Sequence, residues 1–321
     1  MIIVTGGAGF IGSNLVRGLN AQRHTDIVIV DDLEQGGKHR NLNSLAFTDL
    51  VDYRDFARDL DRWSGRAIEA VFHQGACSDT MVHDGRFMLS VNYEYSKLLL
   101  EFCQGRCPFL YASSASVYGD GDDGFREEEV CEYPLNVYAF SKFLFDRHVR
   151  RVLPTASTQI IGLRYFNVYG PQENHKDRMA SVVYKFHHQI AETGTLSVFE
   201  GSESFRRDFV HVDDAVAMNL HFFQEGSPSG IFNCGTGTAL SFRALAEEVA
   251  KHYDGTEVVE IPFPDSLTGK YQAFTQADLT SVRRAGYVAE PIALAEGVAA
   301  YVAVLKETGG YHRHPVAPRT S

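Results

Sequence analysis

The sequence predicts an α/β protein in which helices cover both faces of a doubly wound parallel sheet, followed by a smaller C-terminal α/β domain. Short apolar strands alternate with amphipathic helices through the first half of the 321 residues, which is typical of βαβ units and parallel sheets. A glycine-rich turn joins the first strand to the first helix. The alternation loosens after about Tyr169, so we expect the second domain to begin there.

Hydrophobic periodicity places the individual elements along the chain. Apolar runs predict buried strands at residues 2–4, 26–30, 70–74, 108–112 and 159–166, and amphipathic patterns predict helices at 91–104 and 137–152. Beyond the polar loop 172–178, helices are predicted at 179–193, 242–253 and 292–307, with short strands at 197–199 and 258–261.

The glycine-rich turn carries the strongest chemical signal. Gly6 permits a tight turn, Gly9 lets the backbone approach a pyrophosphate, and Gly12 lets the helix pack closely on the strand. The helix N-terminus offers free N–H groups and a positive dipole end to phosphates. The second strand ends at Asp31, whose carboxylate can bind a ribose hydroxyl. The turn therefore predicts a Rossmann-type dinucleotide site.

These patterns divide the chain into three parts. We expect a dinucleotide-binding domain over residues 1–168, to which segments near 208–233 and 277–290 return, and a substrate domain over the rest of 169–308. Residues 309–321 contain prolines and have no apolar periodicity, so a flexible tail is expected.

Composition excludes several kinds of partner. The formal net charge is −11 and the pI is about 5.6, so no nucleic-acid-binding surface is indicated. No apolar run approaches the length of a membrane span, and no charged leader precedes the first strand. The five cysteines are odd in number and lack metal-binding spacing. We expect a cytoplasmic protein with reduced thiols, no metal and a small-molecule substrate.

A tyrosine and a lysine four residues apart form the second chemical signal. Tyr138 and Lys142 share one face of a predicted helix. A phenol is a poor base at neutral pH, but a neighbouring ammonium and a cationic nicotinamide would both lower its pKa. Upstream, the strand that begins at residue 108 ends in hydroxyls around Ser114, where ligands bind in such sheets.

This combination resembles the extended short-chain dehydrogenase/reductase family. By its position in Ser114-Ala-Ser-Val-Tyr118, Ser114 corresponds to the catalytic serine of that family. Dehydratases of the family carry an acidic pair after this serine, whereas Ala115 and Ser116 stand here. The resemblance therefore favours an epimerase, which returns the hydride that it removes.

Further segments are similar to the epimerases that invert carbon 6 of an ADP-linked heptose in lipopolysaccharide inner-core precursor synthesis. They include Gln74–Ser78, Asn136–Tyr138, Gly170–Ser181, Phe199–Arg207 and Lys270–Gln276, and the similarity runs from Met1 to about Leu305. Leu163–Pro171 and Arg207–Asp214 are similar to landmarks of the wider family. The resemblance implies oxidation to a 6-keto intermediate and hydride return, with Tyr138 and Lys176 as the two bases. Ser114 and Lys142 would support Tyr138, and His175 would be structural.

The resemblance also implies the binding residues. Cofactor contacts fall on Gly6, Gly9, Phe10, Ile11, Gly12, Asp31, Asp32, Lys38, Gln74, Gly75, Ala76, Ser78, Asn92, Lys142 and Val168. Substrate contacts fall on Ser114, Asn167, Arg178, Lys185, Phe199, Glu200, Gly201, Ser202, Arg207 and Tyr271. Arg178 and Lys185 depart from the family pattern, which has a small hydroxyl and a histidine there. Arg207 is either a pyrophosphate clamp or a surface ion pair with Asp208.

The sequence leaves alternatives open for the identity of the cofactor and for the function. Asp31 and Asp32 would repel a 2′-phosphate and favour NAD, whereas Lys38 and Arg40 could bind that phosphate. The family association favours tightly bound NADP, one per subunit, in a ring-like, pentamer-like homo-oligomer. A UDP-hexose 4-epimerase is the second hypothesis. A catalytically silent NAD(P)-binding sensor is the third, although it should lack the Tyr138–Lys142 pair.

Overall fold

The computed structural model of the chain describes residues 1–224, 226, 228–264 and 272–316. The strands are β1 (Ile2–Thr5), β2 (Ile27–Asp31), β3 (Asp49–Asp52), β4 (Ala70–His73), β5 (Phe109–Ser114), β6 (Ile160–Tyr165), β7 (Asn167–Tyr169), β8 (Leu196–Phe199), β9 (Arg206–His211), β10 (Gly230–Cys234), β11 (Ala239–Ser241) and β12 (Val258–Ile261). The helices are α1 (Phe10–Ala21), α2 (Tyr53–Arg58), α3 (Asp61–Ser64), α4 (Gly85–Leu89), α5 (Tyr95–Cys103), α6 (Val137–Val152), α7 (Val182–Thr193), α8 (Val212–Gln224), α9 (Phe242–Ala250), α10 (Thr280–Arg284) and α11 (Leu294–Thr308).

A seven-stranded parallel sheet forms the centre of the molecule, in the order β10-β6-β5-β4-β1-β2-β3. Every residue of β1, β2, β4 and β6 is buried, because helices cover both faces of the sheet. The strand order reverses direction between β1 and β4, and that switch point is where ligands bind in open parallel sheets. The predicted doubly wound α/β fold is confirmed.

The elements that the sequence failed to predict include the edge strand β3, the strand β9 and the helix α8. β3 lies at one edge of the sheet, and its residues Asp49–Asp52 are half-buried or exposed, so it lacks the apolar run of a central strand. The helix predicted at 91–104 was placed too late. It begins at Gly85, where the Asp84 side chain caps it, and passes through a π-helical turn at Ser90–Glu94 before α5.

The C-terminal half contributes to both lobes. β10 pairs with β6 at the other edge of the large sheet, and α8 packs on α1. The second lobe contains the sheet β11-β9-β7 and the pair β12-β8, around a core formed by α7, α9 and α11. β10 and α8 therefore return to the large sheet and its covering helix, whereas β9 belongs to the smaller sheet. The domain bounds stay a prediction of the sequence.

The C-terminal residues 309–316, expected to be flexible, pack against the loop that follows β7. The Gln172 N–H donates to the Gly310 carbonyl at 2.8 Å, and the Asn174 side chain donates to the Gly309 carbonyl. The Tyr311 ring is buried beneath the Arg40 guanidinium, 3.9 Å from the ring centroid. Aromatic and backbone contacts thus hold residues 309–316 against the rest of the protein, although their prolines and lack of periodicity had indicated a flexible tail. Residues 317–321 lie outside the described chain.

A buried cluster of charges joins α6 to the sheet. Arg164 of β6 is fully buried and donates to Asp146 of α6 at 2.9 Å and to Glu132. Asp146 also accepts hydrogen bonds from the Tyr111 hydroxyl at 2.9 Å and the Ser113 hydroxyl at 2.8 Å. Although burial disfavours both charged forms, the carboxylates raise the pKa of Arg164 and the arginines lower the pKa of Glu132. The cluster fixes α6 on β5 and β6.

The Asp146→Asn variant tests this cluster. Removing one carboxylate leaves Arg164 buried with less compensation, which should cost about 3 kcal/mol in the free energy of unfolding. Denaturant titration followed by circular dichroism measures the change. The matched control is Asp55→Asn, which breaks an exposed pair with Arg58 and should leave the midpoint unchanged. Equal, small effects of both variants would show that the cluster does not stabilise the fold.

Candidate active site

The turn between β1 and α1 is built for close approach of backbone to backbone. Gly6 has a φ of +66°, and a Cβ there would lie 2.5 Å from the Gly75 nitrogen. A Cβ at Gly12 would lie 2.0 Å from the Gly6 carbonyl oxygen, so both positions require glycine. Gly9 precedes α1 and supplies no side-chain cap. The first N–H groups of α1 are thereby left to an anion, which fits a dinucleotide pyrophosphate.

Two acidic residues at the end of β2 lie beside the glycine-rich turn. Asp31 accepts a hydrogen bond from the Ala8 N–H at 2.8 Å. The Lys38 amine lies 3.0 Å from both the Asp31 and the Asp32 carboxylates. Although burial disfavours its ammonium, these carboxylates raise the pKa of Lys38. The structure thus places both acids and Lys38 in one cluster, where a ribose of the dinucleotide would lie.

Ser114, Tyr138 and Lys142 meet at the carboxyl end of β5. Asn136 caps α6 by accepting a hydrogen bond from the Ala139 N–H, so Tyr138 lies in its first turn and Lys142 one turn later. The Ser114 hydroxyl lies near enough to the Tyr138 phenol to oppose the rise in pKa that burial causes there. It accepts a hydrogen bond from the Ser116 hydroxyl at 2.9 Å. The three side chains predicted as one catalytic group therefore lie in one place.

The protonation of this group differs from the expectation drawn from the sequence. Burial raises the pKa of Tyr138, and only the nearby Ser114 hydroxyl opposes the rise. The Lys142 amine donates to the Ala112 carbonyl at 2.8 Å, and burial lowers its pKa to about 8. Lys142 is thus held by the strand backbone, and in this arrangement it does not lower the pKa of Tyr138.

Cys77 is a site residue that the sequence did not single out. Its thiol lies near both Tyr138 and Lys142, and burial raises the pKa of the thiol itself. The buried Asn92 side chain holds the Cys77 backbone by accepting from its N–H at 2.8 Å and donating to its carbonyl at 2.9 Å. Asn92, expected to contact the cofactor, therefore supports this loop from the π-helical turn.

Lys176 lies in the loop after β7, against the start of α1. Its amine is 4.9 Å from the centroid of the Phe10 ring and 3.8 Å from the Glu173 carboxylate. Burial lowers the pKa of Lys176, and Glu173 opposes the change. A lysine with a lowered pKa is suited to exchange a proton near neutral pH, which a solvated surface lysine is not.

Asn41 connects this loop to the glycine-rich turn. It is fully buried, and its amide donates to the Ala8 carbonyl at 2.9 Å and to the Gln172 carbonyl at 3.0 Å. The same nitrogen lies 3.3 Å from His175. Burial, with Lys38 and Lys176 nearby, lowers the pKa of His175 to about 4. His175 is therefore a neutral packing residue, and Asn41 had no sequence signal beyond its position after the second strand.

The loop after β4 and the loop after β7 meet at Arg178, one of the two residues that depart from the family pattern. Arg178, exposed for 62% of its side chain, pairs with Asp79 at 2.5 Å. Asp79 follows Cys77 by two residues, and Arg178 follows Lys176 by two. Lys185 of α7 is half-buried, and its pKa is lowered by burial and by Lys176, while Glu173 opposes this. Loops carrying Cys77 and Lys176 thus lie side by side.

The other predicted contacts vary in their surroundings. Gln74 accepts from the Tyr165 hydroxyl at 2.9 Å. Ser202 is buried, and its hydroxyl has no partner in the described part of the chain. Of the remaining cofactor positions, one is exposed, Ser78, and three are half-buried: Ile11, Ala76 and Val168. Of the remaining substrate positions, one is half-buried, Phe199, and three are exposed: Asn167, Glu200 and Gly201. Tyr271 lies outside the described residues.

Arg207 is buried in β9 and does not lie at the surface, as one of its two predicted roles required. Its guanidinium donates to the carbonyls of Arg206 and Gln272 and lies over the Phe242 ring. Asp208, next to it on the strand, faces the other way and accepts hydrogen bonds from the Thr236 and Ala277 backbones at 2.8 and 3.0 Å. The prediction of a surface ion pair between Arg207 and Asp208 is therefore wrong.

The described residues contain no group of three or more His, Cys, Asp or Glu side chains that could hold a metal ion. No helix among those residues is both long and apolar enough to cross a membrane. All five cysteines are free thiols.

Comparison with known proteins agrees with this geometry. Residues 2–235 match the model of the NAD dependent epimerase/dehydratase family. A relative from Brachyspira hyodysenteriae (strain ATCC 49526 / WA1), ADP-L-glycero-D-manno-heptose-6-epimerase, is 52% identical over 316 residues, covering 97% of this chain and 99% of the relative.

Solved structures give the same result. The Helicobacter pylori ADP-L-glycero-D-manno-heptose-6-epimerase has a TM-score of 0.83 at 29% identity, with 95% of this chain and 96% of that chain covered. The UDP-glucose 4-epimerase of Thermotoga maritima, solved with UDP-glucose, has a TM-score of 0.79 at 28% identity, with 96% and 99% covered. The glycine-rich turn, the Ser114–Tyr138–Lys142 group and these matches lead to one conclusion: the chain belongs to the NAD dependent epimerase/dehydratase family.

Proposed function

We propose that the chain converts ADP-D-glycero-D-manno-heptose to ADP-L-glycero-D-manno-heptose, in the synthesis of lipopolysaccharide inner-core precursors. The observation that carries this proposal is the 52% identity, over 99% of its length, to a relative named as that epimerase. The site supports it, because a Ser114–Tyr138–Lys142 group faces a loop that supplies a second amine, Lys176. With two such groups, each orientation of the sugar has its own proton-transferring group.

The residues divide the chemistry as follows. Ser114 and Tyr138, whose hydroxyls lie close together, bind the hydroxyl on carbon 6. Tyr138 exchanges the hydroxyl proton in one orientation of the sugar, and Lys176 exchanges it in the other. Lys142 is held on the Ala112 carbonyl at the end of β5, where its amine would bind the cofactor ribose. A nicotinamide held on the glycine-rich turn would supply the hydride acceptor for carbon 6, and the donor of the same hydride to the opposite face of the 6-keto sugar.

NADP is the cofactor that we propose, tightly bound with one per subunit, and NAD is the alternative. The glycine-rich turn and the N-terminus of α1 suit the pyrophosphate of either. Asp31 suits a free ribose hydroxyl, which favours NAD. Lys38 adds a cation at the same place, within 3.0 Å of both acids, and a lysine can bind a 2′-phosphate.

Substrate contacts, assembly and location are further parts of the proposal. Arg178, Lys185 and Arg207 would supply the positive charge that an anionic nucleotide needs in a chain of net charge −11. Exposed apolar side chains such as Phe87, 44% exposed, and Phe140, 42% exposed, suit a homo-oligomer, for which we propose a ring. Free thiols suit the reducing cytoplasm.

The first test is conversion of ADP-D-glycero-D-manno-heptose by the purified chain without added cofactor, followed by NMR. We expect the L-glycero epimer, and the Tyr138→Phe variant should lose about 10²–10⁴-fold in kcat/KM because the proton-transferring hydroxyl is gone. Tyr133→Phe is the control, since Tyr133 is 76% exposed. Turnover of UDP-glucose instead would move the assignment to a UDP-hexose 4-epimerase, and cofactor binding without any turnover would indicate the sensor.

Lys176→Met tests the second proton-transferring group. Each complete inversion uses both groups, so we expect kcat to fall about 10²-fold or more in both directions of epimerisation. Lys251→Met provides the control, because Lys251 is exposed and pairs only with Glu248 among the described ion pairs. Wild-type rates in either direction would contradict the assignment of Lys176.

Lys38→Ala tests the cofactor preference. If Lys38 binds the 2′-phosphate, the affinity for NADP should fall about tenfold, the scale of a charge-assisted hydrogen bond, while the affinity for NAD should hold. Calorimetric titration of cofactor-stripped protein with each dinucleotide measures the difference. An equal loss for NADP and NAD would instead mean that Lys38 acts only by holding Asp31 and Asp32.

A further inference from the structure

Glu173 is a buried carboxylate that the mechanism above does not use. Its side chain is fully buried, and it precedes Lys176 by three residues in the loop after β7. The carboxylate accepts hydrogen bonds from the Ser181 N–H at 2.6 Å, the Ser181 hydroxyl at 2.5 Å and the Tyr301 hydroxyl at 3.0 Å. A buried charge is retained only where it is paired and hydrogen-bonded, and Glu173 meets both conditions.

The groups that bind Glu173 belong to two helices. Ser181 caps α7, and its hydroxyl accepts from the Tyr184 N–H, so its own hydrogen is free to be donated to Glu173. The N-terminus of α7 favours a negative charge at this place. Tyr301 comes from α11 and is itself fully buried. The carboxylate is therefore fixed by the core of the second lobe, and cannot follow the loop if the loop moves.

Lys176 lies between this fixed carboxylate and the start of α1. Its amine is 3.8 Å from Glu173 and 4.9 Å from the centroid of the Phe10 ring, a favourable place for a cation. The Lys185 amine of α7 and the neutral His175 ring of its own loop also lie near the Lys176 amine. Among these, Glu173 is the anion paired with the Lys176 amine, and its charge acts against the loss of a proton by that amine.

We propose that Glu173 is a positioning residue, which anchors the Lys176 amine over the first residue of α1. This inference rests on the proposed function, in which Lys176 exchanges the proton of the sugar hydroxyl. Because Glu173 is tied to α7 and α11, it transmits the position of the second lobe to an amine that must face the dinucleotide domain. It also favours the ammonium, so it sets the pH range in which Lys176 can act as acid and as base.

Residue-resolved labelling of lysines tests the inference without substrate. The rate at which acetic anhydride acetylates Lys176, measured by mass spectrometry across pH, gives the pH at which half of the amine is neutral. In Glu173→Gln we expect this midpoint to fall by about one pH unit, since an adjacent opposite charge has been removed. Tyr301→Phe is the matched control, because it removes a hydrogen bond to the same carboxylate and keeps its charge, so the midpoint should stay in place.

Activity gives the second readout. In Glu173→Gln, the apparent pKa of the kcat–pH limb that reports Lys176 should shift by the same amount and in the same direction as the labelling midpoint. The value of kcat should fall by a larger factor than KM changes. Glu173→Asp, which keeps the charge on a shorter side chain, should give a smaller movement and covers the case in which Glu173→Gln does not fold. Thermal unfolding of each variant confirms the fold.

The outcomes separate this inference from the proposed function. An unmoved midpoint in folded Glu173→Gln, or an equal movement in Tyr301→Phe, would overturn the role of Glu173 even if the heptose is converted. A shifted midpoint supports that role even if the chain proves to act on another sugar nucleotide. The labelling depends on the charge beside Lys176 and not on the identity of the substrate.

Discussion

The contact between Asp146 and Arg164 is the interaction on which the site depends most. Arg164 is fully buried in β6, so it can keep its charge only with carboxylates beside it. Asp146 supplies one of them from α6 and at the same time binds Ser113 on β5. One turn earlier on α6 is Lys142, and two turns earlier is Tyr138. The position of the catalytic side chains is therefore set in the core, by charges that do not themselves react.

A second constraint joins the two lobes around Lys176. Asn41 binds both the glycine-rich turn, at Ala8, and the loop after β7, at Gln172. The C-terminal segment binds the same loop from outside through the Gly310 carbonyl. Glu173 ties the loop to α7 and α11. These contacts bring a loop of the second lobe to the place where the first lobe presents the pyrophosphate-binding end of α1.

The sequence was informative where chemistry depends on local pattern. The glycine-rich turn and the helix at 137–152 could be predicted because spacing along the chain decides which residues share a turn or a helix face. Long-range partners left no such signal. Asn41, Cys77 and Glu173 depend on contacts between segments far apart in sequence. The pKa of Tyr138 was expected to fall because Lys142 lies one turn away, but spacing cannot tell that the Lys142 amine is bound to the Ala112 carbonyl.

The central claim is that one carbon–hydrogen bond of the sugar is broken and then remade on the other face, with the same hydrogen. The most direct measurement uses ADP-D-glycero-D-manno-heptose carrying deuterium on carbon 6, converted in ordinary water and examined by NMR and mass spectrometry. The account predicts an L-glycero product that keeps the deuterium on carbon 6. Replacement of that deuterium by hydrogen from solvent would contradict it, because the carbon would then have exchanged a proton with a base, and the roles given to Tyr138 and Lys176 would fail.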